Sequence, residues 1–228
     1  MANEAMTIDA ALKARISIRA FTSAPVAEET VAEILEIARF APSGGNLQPW
    51  KVIAVAGAAR EAVIALGLKT VQANPLGEAE ERPIYPKPLG EPYRTRRYEI
   101  GEAMYEKLGV ARDDKAARLL WLSENYRFFG APVGLFFVID RSMGHGQWAH
   151  LGMFMQSIAL AAAARGLGTC MQEAWAMARK SLHAHFSLPE NEILYCGMAL
   201  GHPDWAAPVN SLRSERAALA EIATFQGF

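Results

Sequence analysis

An excess of charge of either sign is what this chain most plainly lacks: 23 Lys plus Arg stand against 24 Asp plus Glu, a formal net charge of −1. With no basic surplus there is no broad field to gather nucleic acid or an anionic membrane, so a bound anion has to be held by local groups. Cysteine is scarce too, with only Cys170 and Cys196 among 228 residues. Two thiols far apart cannot staple a secreted scaffold; they suit small apolar filler in a reduced, cytoplasmic protein. Long hydrophobic runs are also wanting. "MANEAMTIDAALKARIS" mixes acids and bases before any signal-peptide core can form, so no secretion signal is expected. "LGMFMQSIALAAAA", Leu151 to Ala164, is shorter than a membrane span and is interrupted by Gln156 and Ser157, so it reads as a buried helix.

Several chemical signatures are missing as well. There is no phosphate-binding P-loop. His183 and His185 are two apart and would point to different faces of a helix, while His145, His150 and His202 have no cysteine or carboxylate at ligand spacing, so no metal site is expected. Ser43 is not flanked by glycine in the order a nucleophile elbow requires. "GLGTCM" carries Gly166 and Gly168 but not a third glycine, and it follows a helix rather than a strand, so it is not a dinucleotide fingerprint.

With 51% hydrophobic and 21% charged residues, the chain can bury a core as one domain over 1–228. Pro25 to Phe40 places Val31, Ile34, Leu35 and Ala38 on one helical face, and Pro42 forces a stop. "VIAVA", Val52 to Ala56, reads as a short buried strand. "APVGLFFVID", Ala131 to Asp140, reads as a strand covered on both faces, and "ILYCGMALG", Ile193 to Gly201, as another buried strand. The apolar helix ends at Arg165 and Gly166, a basic residue and a capping glycine. Residues 74–114 begin rich in proline and charge and become helical, which suggests a surface excursion or lid. The cluster Arg94, Arg96 and Arg97 within it reads as a solvated helix face. "PVNSLRSERAALAEIATFQGF" has little room for a core of its own, and a partner subunit would give its apolar residues a surface to lie on. Helices and strands mix without the regular alternation of a doubly wound domain, so an α+β layer fold is expected.

Two polar stretches remain. In "RISIRAF", Arg15, Ser17 and Arg19 alternate with Ile16, Ile18 and Ala20, so an extended segment puts two guanidiniums and a hydroxyl on one side. That pattern serves a phosphate clamp or an ordinary amphipathic edge strand. In "FAPSGGNLQPW", Phe40 to Trp50, small polar residues expose backbone N–H groups without bulk, which suits a planar ligand, although Gly44 and Asn46 would equally serve a helix stop.

Arg-x-Ser-x-Arg, a helix, then Pro-Ser-Gly-Gly-Asn-x-Gln-Pro-Trp opening a strand, in this order, resembles the nitroreductase family of FMN-dependent flavoproteins. "LGMFMQSIALAAAARGLGTCMQEAW" looks like that family's central helix and following turn, and "ILYCGMALGHPD" like its last core strand, so the resemblance covers nearly the whole chain. It is closest to the branch containing nitrobenzoate reductases.

The resemblance implies a central mixed, mostly antiparallel sheet flanked by helices, and a homodimer whose C-terminal extension packs on the partner. Two FMN molecules would sit at the interface. Arg15 and Ser17 would hold the FMN phosphate, and Arg19 would lie near the pyrimidine edge. Pro42, Ser43, Gly44 and Asn46 would line the same flavin from the other subunit. Glu173 and Ala174 match a Glu-Gly turn near the reactive N5 edge, with alanine here in place of glycine. Arg216, then Arg213, would add charge at the phosphate, and Asn125 or Arg127 would approach the flavin. Hydride would pass from NADH or NADPH to FMN and on to a nitroaromatic or quinone-like acceptor. Dehalogenation, dehydrogenation, flavin breakdown, or flavin sensing and storage are the rival readings that the same resemblance admits.

Overall fold

The structure is a computed structural model that describes residues 6–78 and 83–228. In chain order it runs α1 (Ile8–Ala14), α2 (Glu28–Ala38), β1 (Trp50–Ala56), α3 (Gly57–Ala73), α4 (Tyr93–Lys107), α5 (Lys115–Ser123), β2 (Val133–Asp140), α6 (His145–Ala163), β3 (Gly168–Gln172), α7 (Arg179–His185), β4 (Glu192–Gly201) and α8 (Leu219–Ile222). The strands form one sheet in the order β1-β2-β4-β3, with every pair antiparallel. Its mixed character comes from an isolated parallel bridge between Ser17 and Thr169.

The apolar run of β2 is covered on both faces because successive side chains point opposite ways. Val133, Leu135, Phe137 and Ile139 enter a core with α2 and α6, to which α6 contributes Leu151, Phe154, Met155, Ile158 and Ala162 at helical spacing. Phe136 points the other way, into a core with Val63 and Ile64 of α3, Leu182 of α7 and the fully buried Trp175. Helix α6 begins well before the purely apolar stretch, and its polar first turns carry Gln147 and His150. After it the backbone turns at Gly166 (φ 72°), the left-handed position that favours glycine.

Strand β3 is a correction to the sequence reading, which placed only a turn after α6. A five-residue stretch opened by a glycine gives little strand signal on its own. Gly168 is required here because a Cβ would lie 2.5 Å from Ile18 and 2.8 Å from Pro203. The Arg15–Phe21 segment is extended as expected, but it meets the sheet through a single bridge, Ser17 with Thr169, and a second bridge joins Phe21 to Pro203, just beyond β4.

Trp175 sets another close approach. A Cβ on Gly197 would meet its ring at 2.3 Å and one on Gly67 at 2.6 Å, so β4 and α3 clasp the indole from two directions. Gly197→Ala is expected to destabilise the fold by about 2–3 kcal/mol through overpacking. Urea unfolding reads this directly, and an unchanged midpoint contradicts it.

The excursion holds α4, which carries no buried residue, and residues 79–82 lie outside the described part. Its arginines behave as a helix face: Arg94 pairs with Glu91, Arg96 with Glu221 of the tail, and Arg97 lies 4.2 Å over the Tyr85 ring. The tail leaves Leu219, Ile222, Phe225 and Phe228 exposed. Among the described residues, no helix is long and apolar enough to cross a membrane.

Candidate cofactor site

Helix α1 starts on a Thr7 side-chain cap and ends at Arg15, which leaves in an extended conformation. From there the chain is pinned to β3: the Ile18 N–H donates to the Thr169 carbonyl at 2.9 Å, and the Ile18 side chain is buried over Gly168. This pinning fixes Arg15, Ser17 and Arg19, all half-buried, around the edge of β3. The Cys170 thiol lies close enough to Ser17 and to both arginines for them to act on it electrostatically. Cys170 is therefore more than distant filler, although burial pushes its pKa up and keeps the sulfur neutral.

The C-terminal segment returns to the same place. Asn210 is 1% exposed and sits in a 3-10 turn, Pro208–Ser211. Its Oδ1 accepts from the Arg19 N–H at 2.8 Å, while its Nδ2 donates to the Ala20 and Asp204 carbonyls, each at 2.8 Å. One buried amide thus locks the two ends of the chain together. Sequence reasoning missed Asn210, because an asparagine in a Pro-rich turn gives no sign of a partner nearly two hundred residues away.

Arg216 arrives by this route. Burial lowers the proton affinity of Arg15, and the nearby positive charge of Arg216 lowers it further. Arg216 donates to Ser214 and to the Glu215 carbonyl, and Arg213 to the Asn210 and Leu212 carbonyls at 2.9 and 3.1 Å. Among the described residues, no carboxylate pairs with Arg15, Arg19, Arg213 or Arg216. Arg15 and Arg216, which repel each other and have no carboxylate partner among the described residues, could hold an anion such as phosphate, which Arg can bind with two parallel hydrogen bonds.

The Gln172–Ala174 turn follows β3. Glu173 Oε1 accepts from the Tyr195 hydroxyl at 3.0 Å, and the Ala174 carbonyl from the Tyr126 hydroxyl at 2.9 Å. Burial drives both phenols toward the neutral form, with Tyr126 pushed up to about 12. Asn125 and Arg127 differ in placement. The Asn125 carbonyl accepts from the buried Gln172 side chain at 2.7 Å, whereas Arg127 is exposed and pairs with Glu124 at 3.4 Å.

The loop after α2 forms a second, separate patch. Ser43 is extended and its Oγ accepts from the Gln48 N–H at 2.9 Å, so this side chain shapes its own loop. Gly45 (φ 62°), Asn46 (φ 55°) and Gln48 (φ 48°) are left-handed, and Pro42, Gly44 and Asn46 are exposed. The Gly44 N–H points to His150 Nδ1 at 3.4 Å, which seats the loop on α6. Trp50 stacks on Phe154 at 4.7 Å, so Trp50 does return the chain to the core. Among the described residues, no hydrogen bond or ion pair links this loop to Arg15, Ser17, Arg19 or the Gln172–Ala174 turn.

The sequence profile of the nitroreductase family matches residues 12–202, which include every candidate above except Arg213 and Arg216. The chain is 37% identical over 218 residues to nitrobenzene nitroreductase of Ectopseudomonas oleovorans, covering 96% of each protein. It superposes with a TM-score of 0.94 on the crystal structure of the FMN and NADPH-dependent nitroreductase NfnB from sphigopyxis sp. strain HMH, at 44% identity over 97% of this chain and 100% of that one. The FMN-dependent nitroreductase NfnB from Mycobacterium smegmatis, in complex with NADPH, gives a TM-score of 0.90 at 30% identity over 96% and 97%.

Proposed function

The chain belongs to the nitroreductase family, and on that premise we propose that it is an FMN-dependent oxidoreductase that uses NADH or NADPH to reduce nitroaromatic compounds, and quinone-like acceptors more broadly. The observation that carries the reading is that Arg15 and Arg216, from opposite ends of the chain, lie near enough for the charge of Arg216 to lower the proton affinity of Arg15, while among the described residues neither is paired with a carboxylate. Relatives that span nearly the whole chain and are named for FMN, NADPH and nitro compounds supply the chemical class.

FMN, when bound, supplies the acceptance and return of hydride; the protein contributes binding, orientation and electrostatics. Arg15, Ser17 and Arg216 would hold the phosphate, with Arg213 as a further cation. Arg19, tied through its N–H to Asn210, would supply positive charge near the pyrimidine edge. The turn of Glu173 and Ala174 would lie near the N5 edge. Pro42, Ser43, Gly44 and Asn46 would complete the site from a second copy of the chain, in keeping with the exposure of Pro42, Gly44 and Asn46 and the lack of any hydrogen bond between this loop and Arg15 among the described residues. No nucleophile or dedicated acid takes part.

The apolar side chains left open on the monomer, Ile8, Leu12, Phe40, Leu47, Met153 and the tail residues, fit burial in a homodimer. The whole chain acts as one domain, with the 74–114 excursion shaping the acceptor pocket, and it works in the cytoplasm. Donor and acceptor use one pocket in turn. The purified protein is expected to be yellow, to lose its flavin absorbance on adding NADPH or NADH, and to give parallel initial-rate lines when donor and nitrobenzoate are varied. Colourless protein that FMN does not reconstitute refutes the reading.

A further inference from the structure

Three consecutive residues of the turn after β3 are each gripped from elsewhere in the fold. The Gln172 amide donates to the Asn125 carbonyl at 2.7 Å, Glu173 Oε1 accepts from Tyr195 at 3.0 Å, and the Ala174 carbonyl accepts from Tyr126 at 2.9 Å. Asn125 and Tyr126 belong to one irregular segment, Glu124–Gly130, and Tyr195 to β4. That segment is held in an unfavourable conformation, with both Phe128 and Phe129 at φ 53°, a region bulky L-residues rarely occupy. Packing enforces it: the Phe128 ring fills the space a Cβ on Gly134 would take, 2.3 Å away, and lies 4.8 Å from the Trp175 ring. Phe129 sits against Trp121 at 5.6 Å. Such strain persists only where the surroundings over-determine it, and here its consequence is to deliver the Asn125 carbonyl and the Tyr126 hydroxyl to the turn.

We propose that Tyr126 and Tyr195 are positioning residues for the Glu173–Ala174 turn at the reactive edge of the flavin, Tyr126 through the Ala174 backbone carbonyl and Tyr195 through the Glu173 carboxylate. The inference rests on the reading of the chain as an FMN enzyme. Alanine at 174 already restricts the turn more than glycine would, and the two phenols remove the freedom that is left. Both are buried enough to stay neutral donors through the working pH range, so the grip does not titrate away.

The holoenzymes of Tyr126→Phe and Tyr195→Phe are compared with wild type by apoprotein melting, FMN affinity and the midpoint potential of the bound flavin. The potential yields the ratio of affinities for oxidised and reduced FMN. Tyr126→Phe is expected to shift that ratio by roughly three- to tenfold, the scale of one neutral hydrogen bond, Tyr195→Phe by roughly tenfold because its partner is a carboxylate, and each to lower kcat with little change in KM for the nicotinamide. A lowered melting temperature with an unchanged ratio assigns the tyrosines to the fold alone and overturns the proposal, leaving the FMN reading intact. Wild-type protein that binds no FMN overturns both. Should Tyr126→Phe fail to fold, Tyr195→Phe decides the matter by the same ratio.

Discussion

Arg15→Ala lowers the affinity for FMN by roughly ten- to a hundredfold, about 1.5–3 kcal/mol for a lost charge-assisted contact, while the apoprotein melts at the wild-type temperature or slightly above it. The second half of this result separates an anion site from an ordinary ion pair. An arginine that closes a salt bridge leaves a stranded carboxylate behind when it is removed. Arg15 has no carboxylate partner among the described residues, and its proton affinity is lowered first by burial and then by Arg216. In the apoprotein its charge is opposed by its surroundings, so deletion relieves repulsion; only the bound phosphate reverses that sign. Isothermal titration with FMN and a melting curve of the apoprotein check both parts. Arg39→Ala, which breaks a surface pair with Glu36, is the control and leaves FMN affinity unchanged. Unaltered affinity in Arg15→Ala removes Arg15 from the site.

Gly45→Val produces the second large effect, a loss of FMN affinity of roughly tenfold or more, with melting close to wild type. Gly45 sits at φ 62°, where a β-branched residue is an outlier at about 1–2 kcal/mol of backbone strain. A Cβ there would meet only Leu47, 3.9 Å away, so the damage is to the backbone course of the loop rather than to the core. The change redirects the neighbouring Gly44 and Asn46 without touching Arg15. FMN fluorescence quenching on the purified variant measures it, and wild-type affinity contradicts a role for the loop. Gly45 itself was not among the residues singled out from sequence. The Gly-Gly pair did not say which member needs the left-handed conformation, and the backbone assigns it to the second.

How far the sequence could be read follows from which forces leave a local mark. The faces of α2 and α6 and the continuous apolar run of β2 were legible because burial imposes a period on side chains. Helix α3 went unnoticed: its buried Val63, Ile64, Gly67 and Thr70 include a glycine and a threonine, which blur the stripe. Strand β3 was hidden because Gly168 is selected by the closeness of Ile18 and Pro203, contacts that lie far away in sequence. The same holds in the site. Arg15, Ser17 and Arg19 leave an alternation and the loop a run of small polar residues, but each pattern alone also suits an edge strand or a helix stop, and only their combination pointed to a family. Asn210, Tyr126 and Tyr195 act through single hydrogen bonds across the fold, and no spacing encodes those. Arg216 was preferred to Arg213 from sequence, and it is Arg216 whose charge acts on Arg15.

The central claim is that one site draws its phosphate clamp from one chain and its glycine loop from another. It is tested most directly by pairing the two defects. Arg15→Ala and Gly45→Val chains carrying different affinity tags are produced together, and the heterodimer is isolated on both tags in sequence. One of its sites then combines an intact Arg15 with an intact loop, and the other combines both lesions. The account predicts about one FMN per heterodimer bound with wild-type affinity, as two-fold symmetry with a shared site requires, although each variant homodimer binds FMN weakly at both sites. A heterodimer with no tight FMN, or a monomer that binds FMN as well as the wild type does, contradicts it.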